Sequence, residues 1–182
     1  QVGEETACAE LGIICGSGLG PIGDAVEEAT ILPYGKIPGF PATHVVGHKG
    51  NMIFGKLGGK KVVCLQGRFH PYEHNMDLAL CTLPVRVMHQ LGIKIMIVSN
   101  AAGGINTVLR HGDLMLIKDH IFLPALAGFS PLVLGFSLIT NIANLDCDAS
   151  VEVSHEEVLD IAEQAGQRAS LFVSDIIKEL NI

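Results

Sequence analysis

Short apolar runs separated by turn residues recur along the chain and predict a series of strands. Such runs occupy Leu11–Cys15 and both halves of "MIFGKLGGKKVVCLQG", where Gly58-Gly59 is a hairpin signal. Three more are "KIMIVSN", which ends at the glycine turn "AAGG", "DLMLIKDHI" and "VLGFSLITN". Runs that are apolar at successive positions are typical of strands covered on both faces.

Stretches with helical periodicity lie between the strand runs. One helix is predicted after the first glycine turn and ends at Ala29. Another is predicted from Met76 to Leu91, where Pro84 must kink or restart the helix and Gly92 closes it.

The end of the chain predicts one long amphipathic helix. Ser154 and Glu157 in "SHEEV" form a capping box, and apolar residues from Val158 to Leu180 then recur at helical spacing. Strands and helices alternate, and no linker or repeat interrupts them. We therefore predict a single α/β domain over residues 1–182, with a largely parallel or mixed central sheet flanked by helices.

The amino-acid composition narrows the classes of partner that the protein is expected to bind. Hydrophobic residues make up 48% of the 182 residues, charged residues 17%, and the mean hydropathy is +0.41, a balance that excludes a disordered chain. The net charge of −7 provides no basic surface for nucleic acid, so we expect no nucleic-acid partner. A small molecule is the expected partner.

Cysteine usage and the first residues predict the compartment. The cysteines are odd in number and free of a C-x-x-C motif: Cys8, Cys15, Cys64, Cys81 and Cys147. This usage is typical of reduced thiols, and "QVGEETACAE" lacks the basic start and apolar core of a secretory signal. Both observations predict a cytoplasmic protein.

One charge-free run, from Ile121 to Leu145, is long enough for a membrane helix. Two prolines and two asparagines interrupt it, and no basic or aromatic flank accompanies it. We therefore predict that the chain has no membrane partner.

Four predicted strands end in turns that carry small or polar residues. These turns are "GSGLG", "QGRFHPYEH", "NAAGG" and "TN", and in an open α/β sheet they meet at the carboxyl edge of the strands, where ligands bind. "GSGLG" is not a dinucleotide fingerprint, because Pro21 takes the place of the third glycine. It suits a lone anion at a helix N-terminus, or it is simply a structural turn.

The stretch "QGRFHPYEH" carries the richest chemistry. Arg68 offers a fork of donors to phosphate oxygens, His70 can donate to an oxyanion, and Tyr72 adds a hydroxyl. "HPYEH" also matches the H-x-x-E-H motif of zinc peptidases, but Pro71 strains the required helix and no distal carboxylate ligand is recognisable. We expect no metal and keep a zinc peptidase as a remote alternative.

Small and polar residues in the other turns are further candidates. Backbone amides around Ala101 in "SNAAGG" permit close approach of a ligand. Asn141, preceded by Thr140, can donate and accept hydrogen bonds at once, as the edge of a nucleobase requires. His48 and His155 are either binding residues or ordinary polar residues.

Eight collinear motifs resemble those of the trimeric purine nucleoside phosphorylases: "IICGSGLG", "GHKG", "QGRFHPYE", "PVRV", "SNAAGG", "GDLMLIKDHI", "GFSLITN" and "HEEV". The resemblance covers nearly the whole chain from Leu11 onward. It implies a mixed-sheet α/β fold, a homotrimer, and phosphorolysis of purine nucleosides to free base and ribose 1-phosphate in purine salvage. Inorganic phosphate is then a co-substrate, and no cofactor is expected.

The resemblance also implies a role for each matching residue. The implied phosphate ligands are Ser17, His48, Arg68, His70 and the amide of Ala101. The implied ribose contacts are Tyr72 and His155, and the implied base contacts are Asn141, Thr140 and Gly103. Asn141 and His70 are the implied catalytic residues. Asparagine at position 141, where adenosine-type relatives carry aspartate, favours 6-oxopurines such as those of inosine and guanosine.

These residue types fit the implied chemistry. Phosphate is already an anion, so it needs fixed donors that align it below the sugar carbon rather than a general base. The leaving purine gathers negative charge, and a hydrogen bond from Asn141 that strengthens in the transition state raises the rate.

Some family segments have no counterpart in this chain. Stretches like "GPSFET" and "MSTVPE", which supply a glutamate to the purine and a serine to phosphate, are missing at about Leu132–Val133, and the N-terminal helix is cut short. A true deletion would leave unpaired strand edges and exposed apolar faces, so we expect that the segments belong to the protein and are absent only from the sequence as given. A true deletion is the other interpretation. The alternative function is therefore a non-catalytic variant that binds purine or phosphate.

Overall fold

In the computed structural model, the described residues form seven strands of one mixed sheet, with helices on both faces. The structure describes residues 9–45, 47–118, 132–142 and 155–182, without the side chains of residues 155–157 and 159. The strands are β1 (Leu11–Cys15), β2 (Glu27–Pro33), β3 (Asn51–Leu57), β4 (Lys60–Gln66), β5 (Ile95–Gly104), β6 (Leu114–Ile117) and β7 (Leu132–Ile142). The helices are α1 (Pro21–Asp24), α2 (Leu78–Cys81), α3 (Leu83–Gln90) and α4 (His155–Glu179). The predicted α/β class is confirmed.

The strand order places the predicted turns side by side. The order is β2-β3-β4-β1-β5-β7-β6, and the four central strands β4, β1, β5 and β7 are parallel to one another. β3 and β6 run antiparallel to the strands next to them. The carboxyl ends of the four central strands therefore lie at the same edge of the sheet, as the sequence predicts.

The sheet is buried on both faces because its central strands are apolar at successive positions. In β1, Ile13 and Cys15 contact the core on the side of α1 and α4, whereas Ile14 packs on the opposite side with Met88 of α3. The apolar stripe of α4 is fully buried at Ala162, Ala165, Ala169, Val173 and Ile177. The amphipathic C-terminal helix is thus confirmed, while Ser154 and the Glu157 side chain lie outside the described residues.

The predicted helix ending at Ala29 is wrong. α1 ends at Asp24, and Glu27–Pro33 forms β2, which pairs antiparallel with β3. The backbone of Glu28 has a φ of 50° at an irregularity of this pairing, so the chain departs from helical geometry there. Hydrogen bonding to β3 overrides the local helix propensity of this glutamate-rich stretch.

The structure confirms the predicted restart of the helix at Pro84 and contradicts the predicted turn at "AAGG". Pro84 does restart the helix, because α2 ends at Cys81 and α3 begins at Leu83. "AAGG" is not a turn, however, because β5 continues through Gly104 alongside β7, with a register irregularity between Ala102 and Gly103. β7 supplies the hydrogen-bonding partners that keep this small-residue segment extended.

The hairpin and the buried thiols agree with the sequence analysis. Gly58 and Gly59 both have positive φ and connect β3 to β4. Cys15 and Cys64 are buried free thiols whose sulfur atoms lie 3.5 Å apart. No helix in the described ranges combines the length and hydropathy that a membrane crossing requires.

The position where the resemblance places missing segments lies at the start of β7. Leu132 and Val133 belong to one continuous strand, and their side chains are 69% and 47% exposed. β7 pairs with β5 on one side and β6 on the other, so its own ladder has neighbours on both edges.

Candidate active site

The glycine turn after β1 is held between β5 and α4. The Gly16 amide donates to Ser99 Oγ at 3.2 Å, and the Ser99 hydroxyl donates to the Ile14 carbonyl at 3.1 Å. Gly18 has a φ of 72°, and a Cβ there would lie 2.0 Å from the Cβ of Ala162. Only glycine fits this position, and the turn presents Ser17 at the edge of the sheet.

Alternation along the segment after β4 points Arg68 and His70 away from the core. Phe69 between them is buried against Tyr34 and Phe40, with ring centroids 5.2 and 5.6 Å apart. The Tyr34 hydroxyl donates to the Gly67 carbonyl at 2.7 Å. Burial raises the pKa of Tyr34, so the phenol keeps its proton and this anchor persists.

Four of the five predicted phosphate ligands come together. Ser17 Oγ lies 3.1 Å from His48 Nε2. His48 Nδ1 lies 3.0 Å from the amide nitrogen and 3.1 Å from the carbonyl oxygen of Arg68. Arg68 Nε donates to His70 Nε2 at 3.4 Å, and the rings of His48 and His70 are 5.0 Å apart. The result is a contiguous cluster of donors from three separate segments of the chain.

The protonation of this cluster suits an anionic ligand. Burial lowers the pKa of His48, and the neighbouring His70 and Arg68 lower it further, against the opposing hydrogen bond to the Arg68 backbone and the charge of Glu73. In the neutral ring Nδ1 accepts from the Arg68 amide, so the single ring proton is on Nε2 and is donated to Ser17 Oγ. Burial also lowers the pKa of Arg68, but a guanidinium stays charged at neutral pH.

Glu73 is a site residue that the sequence analysis assigned only to the zinc motif. Its carboxylate accepts from the amide of His44 at 2.9 Å and from the amide and Nδ1 of His70 at 3.2 and 3.1 Å. Burial raises the pKa of Glu73, but these hydrogen bonds outweigh it, so the pKa is lowered and the carboxylate is ionised. It fixes the orientation of the His70 ring, and capping-box spacing from His70 was the signal for it.

The zinc motif does not have the geometry that it needs. Only a 3₁₀ turn, Pro71–Glu73, separates His70 from His74, and the backbone of His70 is extended. The two histidines therefore do not share one face of a helix. Within the described part of the chain, no group of three or more metal-binding side chains occurs.

The predicted base contacts lie at the paired ends of β7 and β5. The Thr140 hydroxyl lies 3.3 Å from Asn141 Oδ1 and 3.5 Å from the Ala102 carbonyl. A Cβ at Gly103 would lie 3.0 Å from Asn141 Nδ2. Thr140 and Gly103 thus orient the amide, with Oδ1 toward the hydroxyl and Nδ2 packed against the glycine.

The remaining predicted site residues are Tyr72, Ala101 and His155. Tyr72 stacks on His70 with ring centroids 5.0 Å apart and is 69% exposed. Ala101 pairs with Leu138 of β7 and lies beyond Val98, the last residue of β5 that pairs with β1. His155 is the first residue of α4, and its side chain lies outside the described residues.

The fold and the cluster define an α/β protein in which hydrogen-bonding side chains from three segments meet at the carboxyl edge of a parallel block of strands. The sequence profile of the Phosphorylase superfamily matches residues 10–133, and the chain belongs to this family. The purine nucleoside phosphorylase of Anopheles gambiae is 51% identical over 123 residues, which cover 68% of this chain and 35% of that protein.

Solved structures of purine nucleoside phosphorylases share the fold. The Schistosoma mansoni enzyme in complex with inosine has a TM-score of 0.85 and 32% identity, over 98% of this chain and 92% of that chain. Isoform 2 from the same organism, in complex with cytosine and ribose-1-phosphate, has a TM-score of 0.84 and 28% identity, over 98% and 93%. By sequence, the chain spans 35 to 44% of the length of the curated relatives that it matches.

Proposed function

We propose that the chain is a pentosyltransferase, a purine nucleoside phosphorylase that transfers the ribosyl group of a 6-oxopurine nucleoside to inorganic phosphate. The observation that carries the proposal is the donor cluster of Ser17, His48, Arg68 and His70 in a member of the Phosphorylase superfamily. Relatives named purine nucleoside phosphorylase, and neighbours solved with inosine or ribose-1-phosphate, support it.

The donor cluster holds the nucleophile in this proposal. Arg68 replaces its contact to His70 with a forked contact to phosphate, and His70 is kept in place by Glu73. Ser17 and His48 donate from the opposite side, and the Ala101 amide from the β5 edge. Alignment of an existing anion below the sugar carbon lowers the barrier through orientation and fixed charge.

Asn141 acts on the leaving group. Its Nδ2 donates to the purine near N7, and the contact from Thr140 to Oδ1 keeps the amide turned that way. The bond strengthens as negative charge builds on the base, so it stabilises the transition state more than the bound substrate. Tyr72 and His155 hold the ribose, and Gly103 leaves room beside the base.

Assembly and location follow from the resemblance. We propose a homotrimer, and the exposed apolar side chains next to the cluster, Tyr72, Met76 and Leu78, support association of chains. We also propose a cytoplasmic location, with phosphate as co-substrate and no resident cofactor.

Phosphorolysis of inosine tests the proposal. We expect hypoxanthine release that requires added phosphate, with Asn141→Ala lowering kcat by roughly a hundredfold and changing the KM for inosine little. Arg68→Ala should instead raise mainly the KM for phosphate. Arg86→Ala on α3 is the control for loss of an arginine. No turnover, or equal kinetics in all three variants, contradicts the assigned roles.

A non-catalytic binding protein is the second candidate. The observation that motivates it is that stretches like "GPSFET" and "MSTVPE" have no counterpart in the sequence. Calorimetry that detects binding of inosine or phosphate by a chain without turnover would support this candidate. Phosphate-dependent release of the base would exclude it.

A further inference from the structure

A buried amide at the end of β4 has no part in the proposed chemistry. Gln66 is 2% exposed and immediately precedes the segment that carries Arg68. Its Nε2 donates to the Gly20 carbonyl at 2.9 Å and to Asp24 Oδ1 at 2.7 Å, and its Oε1 accepts from Asn51 Nδ2 at 3.2 Å. Both donors and the acceptor of the amide are therefore used.

These contacts reach each segment that supplies a donor to the cluster. Gly20 closes the glycine turn that carries Ser17. Asp24 of α1 forms an exposed ion pair with Lys49, the residue after His48, with 2.7 Å between Lys49 Nζ and Oδ1. The Gln66 carbonyl also accepts from the Gly50 amide at 2.9 Å, which ties down the same loop from its other end.

Packing adds to the hydrogen bonds. A Cβ at Gly23 would lie 3.0 Å from Gln66 Nε2, so α1 rests directly on the Gln66 side chain. The Gln66 side chain is therefore close-packed as well as hydrogen-bonded. A side chain of the same length without the amide would leave the Gly20 carbonyl and the Asn51 amide without their hydrogen-bond partner.

We infer that Gln66 is the positioning residue of the anion site, holding the segments of Ser17, His48 and Arg68 at fixed separations. The inference rests on the proposed function only for the identity of the anion. Without the contacts of the Gln66 side chain, the three donors can separate, and they then no longer converge on one tetrahedral ligand. When the donors lose their orientation, binding and turnover of the anion are weakened, whereas binding of the nucleoside is not.

The test uses Gln66→Met, which keeps length and volume but removes the amide. We expect the KM for phosphate to rise roughly tenfold while the KM for inosine stays within about twofold. Calorimetric affinity for inorganic phosphate should fall by the same factor. Gln90→Met, at the exposed end of α3, is the matched control and should leave both quantities unchanged.

The outcomes separate this inference from the proposed function. A lower melting temperature with unchanged phosphate KM and affinity would make Gln66 merely structural and overturn the inference. If the unaltered chain binds phosphate without turnover, the proposed function fails and calorimetry alone decides the inference. If Gln66→Met does not fold, Asp24→Ala decides it: a rise of roughly threefold in the phosphate constant supports it and no change overturns it. Failure of the unaltered chain to bind phosphate overturns both.

Discussion

Some side chains of the cluster face the site, whereas others hold their neighbours in place. Arg68 and His70 face the site because Phe69 is buried between them, a two-residue alternation that is legible in the sequence. Glu73 holds His70 by a carboxylate contact on the ring, which leaves the other ring nitrogen toward Arg68. The buried His48, in contrast, depends on groups that are distant in sequence.

Acidification should weaken the fold through His48. Its pKa is lowered from the ordinary value of 6.5 in the folded chain, so the unfolded chain binds more protons between the two values. The stability contributed by the neutral ring is complete above pH 6.5 and declines as pH falls toward the folded pKa. Arg68, His70 and Glu73 are the titratable groups that face it.

Urea unfolding at several pH values checks this expectation. The free energy of unfolding should fall between about pH 7.5 and 5.5, and His48→Gln should flatten that slope. His111→Gln, at an exposed position, is the control and should keep the slope of the unaltered protein. Parallel curves for both variants would show that His48 does not carry the dependence.

At the scale of elements, the contact between the glycine turn and α4 fixes the site. Gly18 touches Ala162, and Gly166 of the same helix packs against Pro21, so α4 covers the whole turn. The helix was predictable from its apolar spacing, and the turn from its glycines. Their contact was not, because no local pattern records which helix covers which turn.

Gly18→Ala should destabilise the protein by roughly 2–5 kcal/mol, since a left-handed φ costs an alanine about 1–2 kcal/mol and overpacking adds about 1–3. Gly59→Ala separates the two terms. Gly59 has a similar φ of 78°, but nothing lies within 4 Å of its Cβ position, so only the backbone cost applies. Thermal or urea unfolding of both variants gives the difference. Equal losses would mean that α4 shifts without cost.

Errors in predicting the elements share one cause. Residues 27–29 favour a helix locally, and "AAGG" favours a turn, yet both segments are extended because a neighbouring strand pairs with them. The pairing partners lie more than 20 residues away in each case, as with Glu27 and Lys56 or Ala101 and Leu138. Runs with their own strong periodicity, such as β1 and α4, were predicted correctly.

The whole molecule is a sheet whose parallel centre collects site residues from distant parts of the sequence. Fold class and convergence of the turns followed from strand order rules, and the candidate ligands followed from the resemblance. The roles of Gln66 and Ser99 could not be predicted from the sequence, because the function of a buried polar residue at a strand end depends on hydrogen-bond partners that are distant in sequence.

Association is the prediction at this scale. A homotrimer should give a light-scattering mass close to three times 19.3 kDa, because exposed apolar side chains such as Tyr72 and Leu78 gain by burial between chains. Light scattering across a dilution series checks it, with the mass in high salt as the control for nonspecific charge effects. A mass of 19.3 kDa throughout would contradict the trimer.

The contact between Gly18 and Ala162 also bears on biosynthesis. The ribosome releases Gly18 144 residues before Ala162, a residue of the helix that covers the glycine turn. A nascent chain halted before that helix emerges would expose the underside of the turn to water. The turn is therefore covered only after α4 has been synthesised and has folded back over it.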